Sequence, residues 1–142
     1  MNTNSVSMPE KSAPDLWMSG LRGGVVGLAG TLALYGIAGL LGIPLQVRVG
    51  PPNASPLIPL SLAQVVATVI MAAVGATALY AGLRRIFEER ARRIFQVVAA
   101  AVLILSFGAP LSLAASPANT ILLSLMHVVT AAAIIWALTL RE

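Results

Sequence analysis

Arg84-Arg85-Ile86-Phe87-Glu88-Glu89-Arg90-Ala91-Arg92-Arg93 holds five of the nine Lys and Arg residues of this 142-residue chain. A long apolar run lies on each side, about 60–83 before it and about 94–115 after it. Each run is long enough for the roughly 20 residues that a membrane-spanning helix needs. Glu88 with Arg92 and Glu89 with Arg93 are i,i+4 pairs in the favoured order. No Gly or Pro interrupts the chain between Gly82 and Gly108. The charged stretch therefore reads as the turn between two helices that project from a membrane before reversing, and its charge fixes which way they cross.

Composition agrees. The chain is 58% hydrophobic and 10% charged, with a mean hydropathy of +0.89, whereas a soluble domain carries about a quarter charged residues. A bilayer accommodates such a chain because lipid-facing residues are apolar. The net charge of +4 is no nucleic-acid signal, since the basic residues stand at the ends of apolar runs, where they act as topology markers. With no cysteine, disulfides, thiolate metal sites and thiol redox chemistry are excluded.

Two further runs lie outward, about 21–43 and about 118–140. The first is too long for the apolar core of a signal peptide, and no A-x-A cleavage site follows it, so it reads as a retained helix. Residues 1–16 read as a flexible polar tail, with Pro14 and Asp15 suited to the first turn of a helix. Gly20/Gly24 and Gly23/Gly27 are overlapping G-x-x-x-G pairs, which leave a groove where another helix backbone can approach. Their spacing does not say whether that helix belongs to this chain or to another copy. In residues 44–59, Leu45, Val47 and Val49 alternate with Gln46 and Arg48 before Gly50-Pro51-Pro52. This is a short strand signal, consistent with a small hairpin or lid over the bundle mouth, or with an extended connector. Ser116 before Pro117 is the expected N-cap of the last helix.

Placing the charged stretch in the cytoplasm puts Lys11, Arg22, Arg84, Arg85, Arg90, Arg92, Arg93 and Arg141 inside and only Arg48 outside. Trp17, Tyr80, Phe87, Phe95 and Trp136 then fall at the inner interface, where aromatic rings prefer to sit. The expected fold is an all-α, four-helix up-down bundle, a single domain over residues 17–142. It spans the plasma (inner) membrane four times, with both termini cytoplasmic.

No Asp, Glu, Lys or Arg lies well inside any run, whereas ion-coupled transporters usually keep such a group in the membrane. The membrane-embedded Glu of a small multidrug exporter is missing. The Gly23–Gly27 cluster resembles that of small fluoride channels, but the Arg just downstream and the polar stretch of their third helix are missing. His127, the only His, lies about 15 Å down the last helix at 1.5 Å per residue. Ser124 and Thr130 flank it, and Ser106, Thr68 and Thr31 reach the same depth on the other spans. These six residues form a candidate polar cluster. Haem ligation would require Met71, Met126 or a second subunit as the other axial ligand. The expected role is structural, a neutral His hydrogen-bonded between helices. In particular, Pro110 deprives the Ser106 carbonyl of its helix donor, and His127 is expected to replace that donor.

Leu105-Ser106-Phe107-Gly108-Ala109-Pro110-Leu111-Ser112 and Leu125-Met126-His127-Val128-Val129-Thr130-Ala131-Ala132 carry a family likeness. On them the chain resembles an uncharacterised family of small four-helix bacterial membrane proteins. Members of that family have a Gly/Pro-Leu-Ser turn ending helix three and a Leu-Met-His stretch in helix four. The likeness covers residues 20–140. It implies four spans and no particular activity.

The leading expectation is a non-enzymatic membrane protein without cofactor or metal, an accessory or self-associating subunit. Its partners are the lipid bilayer and a homo-oligomer or larger membrane complex, not nucleic acid. The alternatives are a small pore or carrier for a neutral or weakly polar solute, and a cofactor- or quinone-binding electron-transfer subunit.

Overall fold

The computed structural model describes residues 13–48, 56–113 and 116–139. The chain is mostly helical: α1 (Ala13–Leu40), a two-stranded hairpin of β1 (Gln46–Arg48) and β2 (Leu57–Pro59), α2 (Leu62–Phe87), α3 (Ala91–Ser106), α4 (Gly108–Leu113) and α5 (Pro117–Thr139). Helix α1 begins inside the segment read as a polar tail, with Pro14 and Asp15 in its first turn. The rest of that tail, with Lys11, lies outside the described residues, as does Arg141.

Helix α1 stops where Gly42 takes a φ of +66°. The Ile43 amide bonds back to the Ala38 carbonyl (2.9 Å) and the Gly42 amide to that of Gly39 (3.2 Å), the paired bonds of a Schellman stop. The alternation at residues 45–49 resolves as a hairpin, with Gln46, Val47 and Arg48 opposite Pro59, Ile58 and Leu57. The tip, with Val49 and the Gly-Pro-Pro breaker, lies outside the described residues. Helix α2 opens with a capping box: Ser61 Oγ accepts from the Gln64 amide, and Gln64 Oε1 accepts from the Ser61 amide.

Between α2 and α3 the charged stretch forms one 3-10 turn, Glu88–Arg90, entered through Glu88 at a φ of +41°. The Tyr80 and Phe95 rings stand 4.9 Å apart. In one straight helix, residues that far apart in sequence would be about 22 Å apart, so α3 turns back along α2. This reversal matters for span counting. Among the described residues, three stretches are long and apolar enough to cross a membrane: Pro14–Leu40, Leu62–Ser112 and Pro117–Thr139. The middle one has 51 residues. Straight, it would measure about 77 Å, more than twice the roughly 30 Å hydrocarbon core.

Two details differ from the sequence reading. The hairpin adds a small sheet to an otherwise helical fold. The third run is not one helix, because it breaks at Phe107, whose amide bonds the Ile104 carbonyl (3.2 Å). Helix α4 then restarts with Pro110 in its first turn, where a missing N–H costs no ladder bond.

Packing is concentrated at the two ends. Leu16, Tyr80, Ala91, Phe95, Ile134 and Leu138 gather the start of α1, the α2–α3 reversal and the end of α5. Ala38, Leu45, Leu122, Leu123 and Met126 gather the opposite end. The outer surface keeps many large apolar side chains exposed, such as Leu40, Ile86, Val97, Ile104 and Leu105. A soluble monomer rarely exposes such a continuous apolar surface, and a bilayer would cover it.

Candidate functional site

Helix α1 is the spine of the bundle, and its two glycine pairs face two different helices. A Cβ at Gly20 would collide with the Thr77 side chain, and one at Gly24 would lie 3.0 Å from Ala73 Cβ, both on α2. A Cβ at Gly23 would stand 3.0 Å from Ile134 Cα and 2.9 Å from Ala137 Cβ on α5, whereas one at Gly27 would meet Thr130 Cα at an ordinary 3.4 Å. The partners that spacing alone left open thus lie within the same chain. Thr77, whose hydroxyl donates to the Ala73 carbonyl of its own helix (2.7 Å), presses that same oxygen closest to Gly20, so only a glycine fits there.

Because α1 draws α2 and α5 to itself, α3 meets α2 mainly near the reversal, and a cavity of about 600 Å³ opens between α2, α3 and α5. Leu79, Phe95 and Ile135 line the end nearer the reversal, and Val47, Leu60 and Gln64 line the hairpin end. The side is open: the lining residues Met71 and Val102 are 74% and 57% exposed. Among the described residues the lining contains no charged one.

The hairpin that roofs the cavity is tied down at three points. The Tyr35 hydroxyl donates to the Leu60 carbonyl (2.9 Å), and the Leu60 amide donates to that of Leu45 (2.8 Å). Asn119, fully buried, donates through Nδ2 to the Gln46 carbonyl, and its Oδ1 has no partner among the described residues. Asn119 itself is placed by Ser116, whose Oγ accepts from the Asn119 amide (3.2 Å), as expected of an N-cap.

Of the polar cluster read from the sequence, Thr31, Thr68, Ser106, His127 and Thr130 line this cavity, and Ser124 does not. Thr31 and Thr130 hydrogen-bond to each other at 2.9 Å, joining α1 to α5. Thr68 and Ser106 turn their hydroxyls to their own helices, onto the Gln64 (2.8 Å) and Leu103 (2.7 Å) carbonyls. The expected bond from His127 to Ser106 is not made. His127 Nδ1 lies 2.7 Å from the Leu123 carbonyl of its own helix. The physical reason lies in α3, where the helix ends before Pro110 and leaves no mid-helix gap for His127 to fill. Gln64, Tyr35 and Asn119 were not singled out from the sequence. The Ser61-x-x-Gln64 spacing is a readable capping box, whereas the long-range bonds of Tyr35 and Asn119 leave no local signal.

Arg85, Arg90, Arg92 and Arg93 are exposed and Arg84 half-buried around the reversal, and Arg22 lies on the adjoining half of α1. Among the described residues only Arg48 belongs to the hairpin end. The two ends therefore differ sharply in charge.

A mostly helical chain with three membrane-length apolar stretches belongs in class with the membrane proteins. It is a member of the family of unknown function DUF6069, whose model matches residues 11–142. No curated protein and no solved structure matches it.

Proposed function

We propose that the chain is a non-enzymatic, four-span protein of a plasma membrane, with both ends cytoplasmic, that holds a lipid-soluble small molecule between α2, α3 and α5. In this reading α3 with α4 forms the third span and the α2–α3 reversal lies in the cytoplasm, in keeping with the basic residues gathered there. The observation that carries the function is a cavity of small-molecule size with an uncharged lining among the described residues, open to the side at Met71 and Val102. A largely apolar lining disfavours a path for an aqueous solute, and a side opening between membrane-spanning helices faces acyl chains. The volume falls within the roughly 300–1,000 Å³ of small-molecule sites. The α1 glycine face, which self-association would have used, is already occupied by α2 and α5.

Organic extraction of the purified protein followed by mass spectrometry tests this reading. The wild-type chain retains a lipid-soluble compound in stoichiometric amount, and the cavity-filling variants Ala72→Trp and Ala99→Trp lose it while remaining folded. Equal retention by wild type and filled variants contradicts the proposal.

A further inference from the structure

The cavity has an unused hydrogen-bond acceptor in its wall. The partner of His127 Nδ1 is a carbonyl oxygen, which only accepts, so Nδ1 carries the proton. In the neutral ring Nε2 then has a lone pair and no hydrogen. With Nδ1 held to the backbone, Nε2 lies on the ring edge turned away from that carbonyl. His127 lines the cavity half-buried, and Nε2 has no hydrogen-bond partner among the described residues. Nearby, with Thr130 three residues along the same helix, the Thr31–Thr130 pair uses one of its two hydroxyl hydrogens in the bond between them, and neither residue makes a second hydrogen bond among the described residues. The wall at this depth thus offers one acceptor and one spare donor in apolar surroundings.

Resting on the binding role proposed above, we infer that the occupant is a neutral long-chain alcohol, whose hydroxyl donates to His127 Nε2 and accepts from the Thr31–Thr130 pair. An ether, ester or ketone only accepts and leaves Nε2 unsatisfied. A charged headgroup would find no counter-charge among the lining residues. A partner's membrane helix, about 10 Å wide and about 30 Å long, far exceeds the space.

The full chain in phospholipid nanodiscs allows a direct test with two probes, hexadecan-1-ol and its methyl ether. Nitrogen-15 histidine labelling reports a single ring, because His127 is the only His. Methyl-labelled methionine reports Met71 and Met126 on the cavity wall, with Met18 on α1 as an outside control. Both probes should shift the Met71 and Met126 signals and leave Met18 unmoved. Only the alcohol should shift the unprotonated Nε2 resonance, and it should bind about three- to tenfold tighter, the worth of one such hydrogen bond. His127→Phe should erase that preference and leave the ether unaffected.

A protonated Nε2 in the free protein, or equal binding of the two probes with Nε2 unmoved, overturns the inference while leaving the cavity reading intact. A preference for the alcohol that survives in His127→Phe also overturns it. If neither probe moves Met71 or Met126, the cavity reading falls as well.

Discussion

Gly23 shows how one missing side chain positions two helices. A methyl group there would press on Ile134 Cα and on the Ala133 carbonyl oxygen at 3.1 Å, and helix backbone cannot move aside as a side-chain tip can. Gly23→Ala is expected to cost about 1–3 kcal/mol as an overpacked contact, read as a lower melting temperature in lipid or detergent. Gly36→Ala, with open space around it, should be neutral or slightly stabilising, because Ala is the better helix former. Equal melting of the two variants would mean that α1 does not pack on α5 as described. The Thr31–Thr130 bond joins the same two helices and is worth less. Interhelical hydrogen bonds in membranes average about 0.6 kcal/mol and reach about 1.7. In a double-mutant cycle, Thr31→Val and Thr130→Val should each cost about that much, and the pair no more than either alone. Additive losses would show that the two hydroxyls act separately.

The hairpin behaves as a roof because buried polar bonds, not its own short ladder, hold it. A two-stranded hairpin is at best marginally stable alone, and this one depends on Asn119 and Tyr35. Asn119→Ala removes the donor to the Gln46 carbonyl, a loss of about 1–3 kcal/mol if that carbonyl stays buried. Amide exchange at Leu60, which is bonded to the Leu45 carbonyl, should then quicken while exchange in the middle of α5 stays slow. Unchanged exchange at Leu60 would show that the hairpin holds without Asn119. The strand itself was readable from the alternation at residues 45–49, because period two is a local property. Its anchors were not, since Gln46 and Asn119 are 73 residues apart. Pro110 was misread for a related reason. A proline in an apolar run signals a disrupted ladder, but only the fold shows that the helix stops at Phe107 and restarts in time to spare the bond. Likewise the helix spacing grouped Thr31, Thr68, Ser106, His127 and Thr130, all of which line the cavity. The bond to Leu123 that takes up His127 Nδ1 was not legible.

For the molecule as a whole, charge and packing divide along one axis. The glycine spacing announced close helix approach, and the basic stretch announced a turn. That α1 spends both glycine pairs on α2 and α5 within the chain, and that a cavity is left between α2, α3 and α5, follows from how these helices pack together. The cavity is reached from lipid only if the bundle stands upright in a bilayer, and the proposed topology has the Arg84–Arg93 end inside. The chain has no cysteine, so single-cysteine variants at the exposed Glu89 and Leu57 report the two ends cleanly. Treatment of intact cells with a membrane-impermeant maleimide should label Leu57→Cys at once and Glu89→Cys only after the membrane is opened. Labelling of Glu89→Cys from outside would contradict the proposed orientation, and labelling of both from the same side would contradict the upright bundle on which access to the cavity from lipid depends.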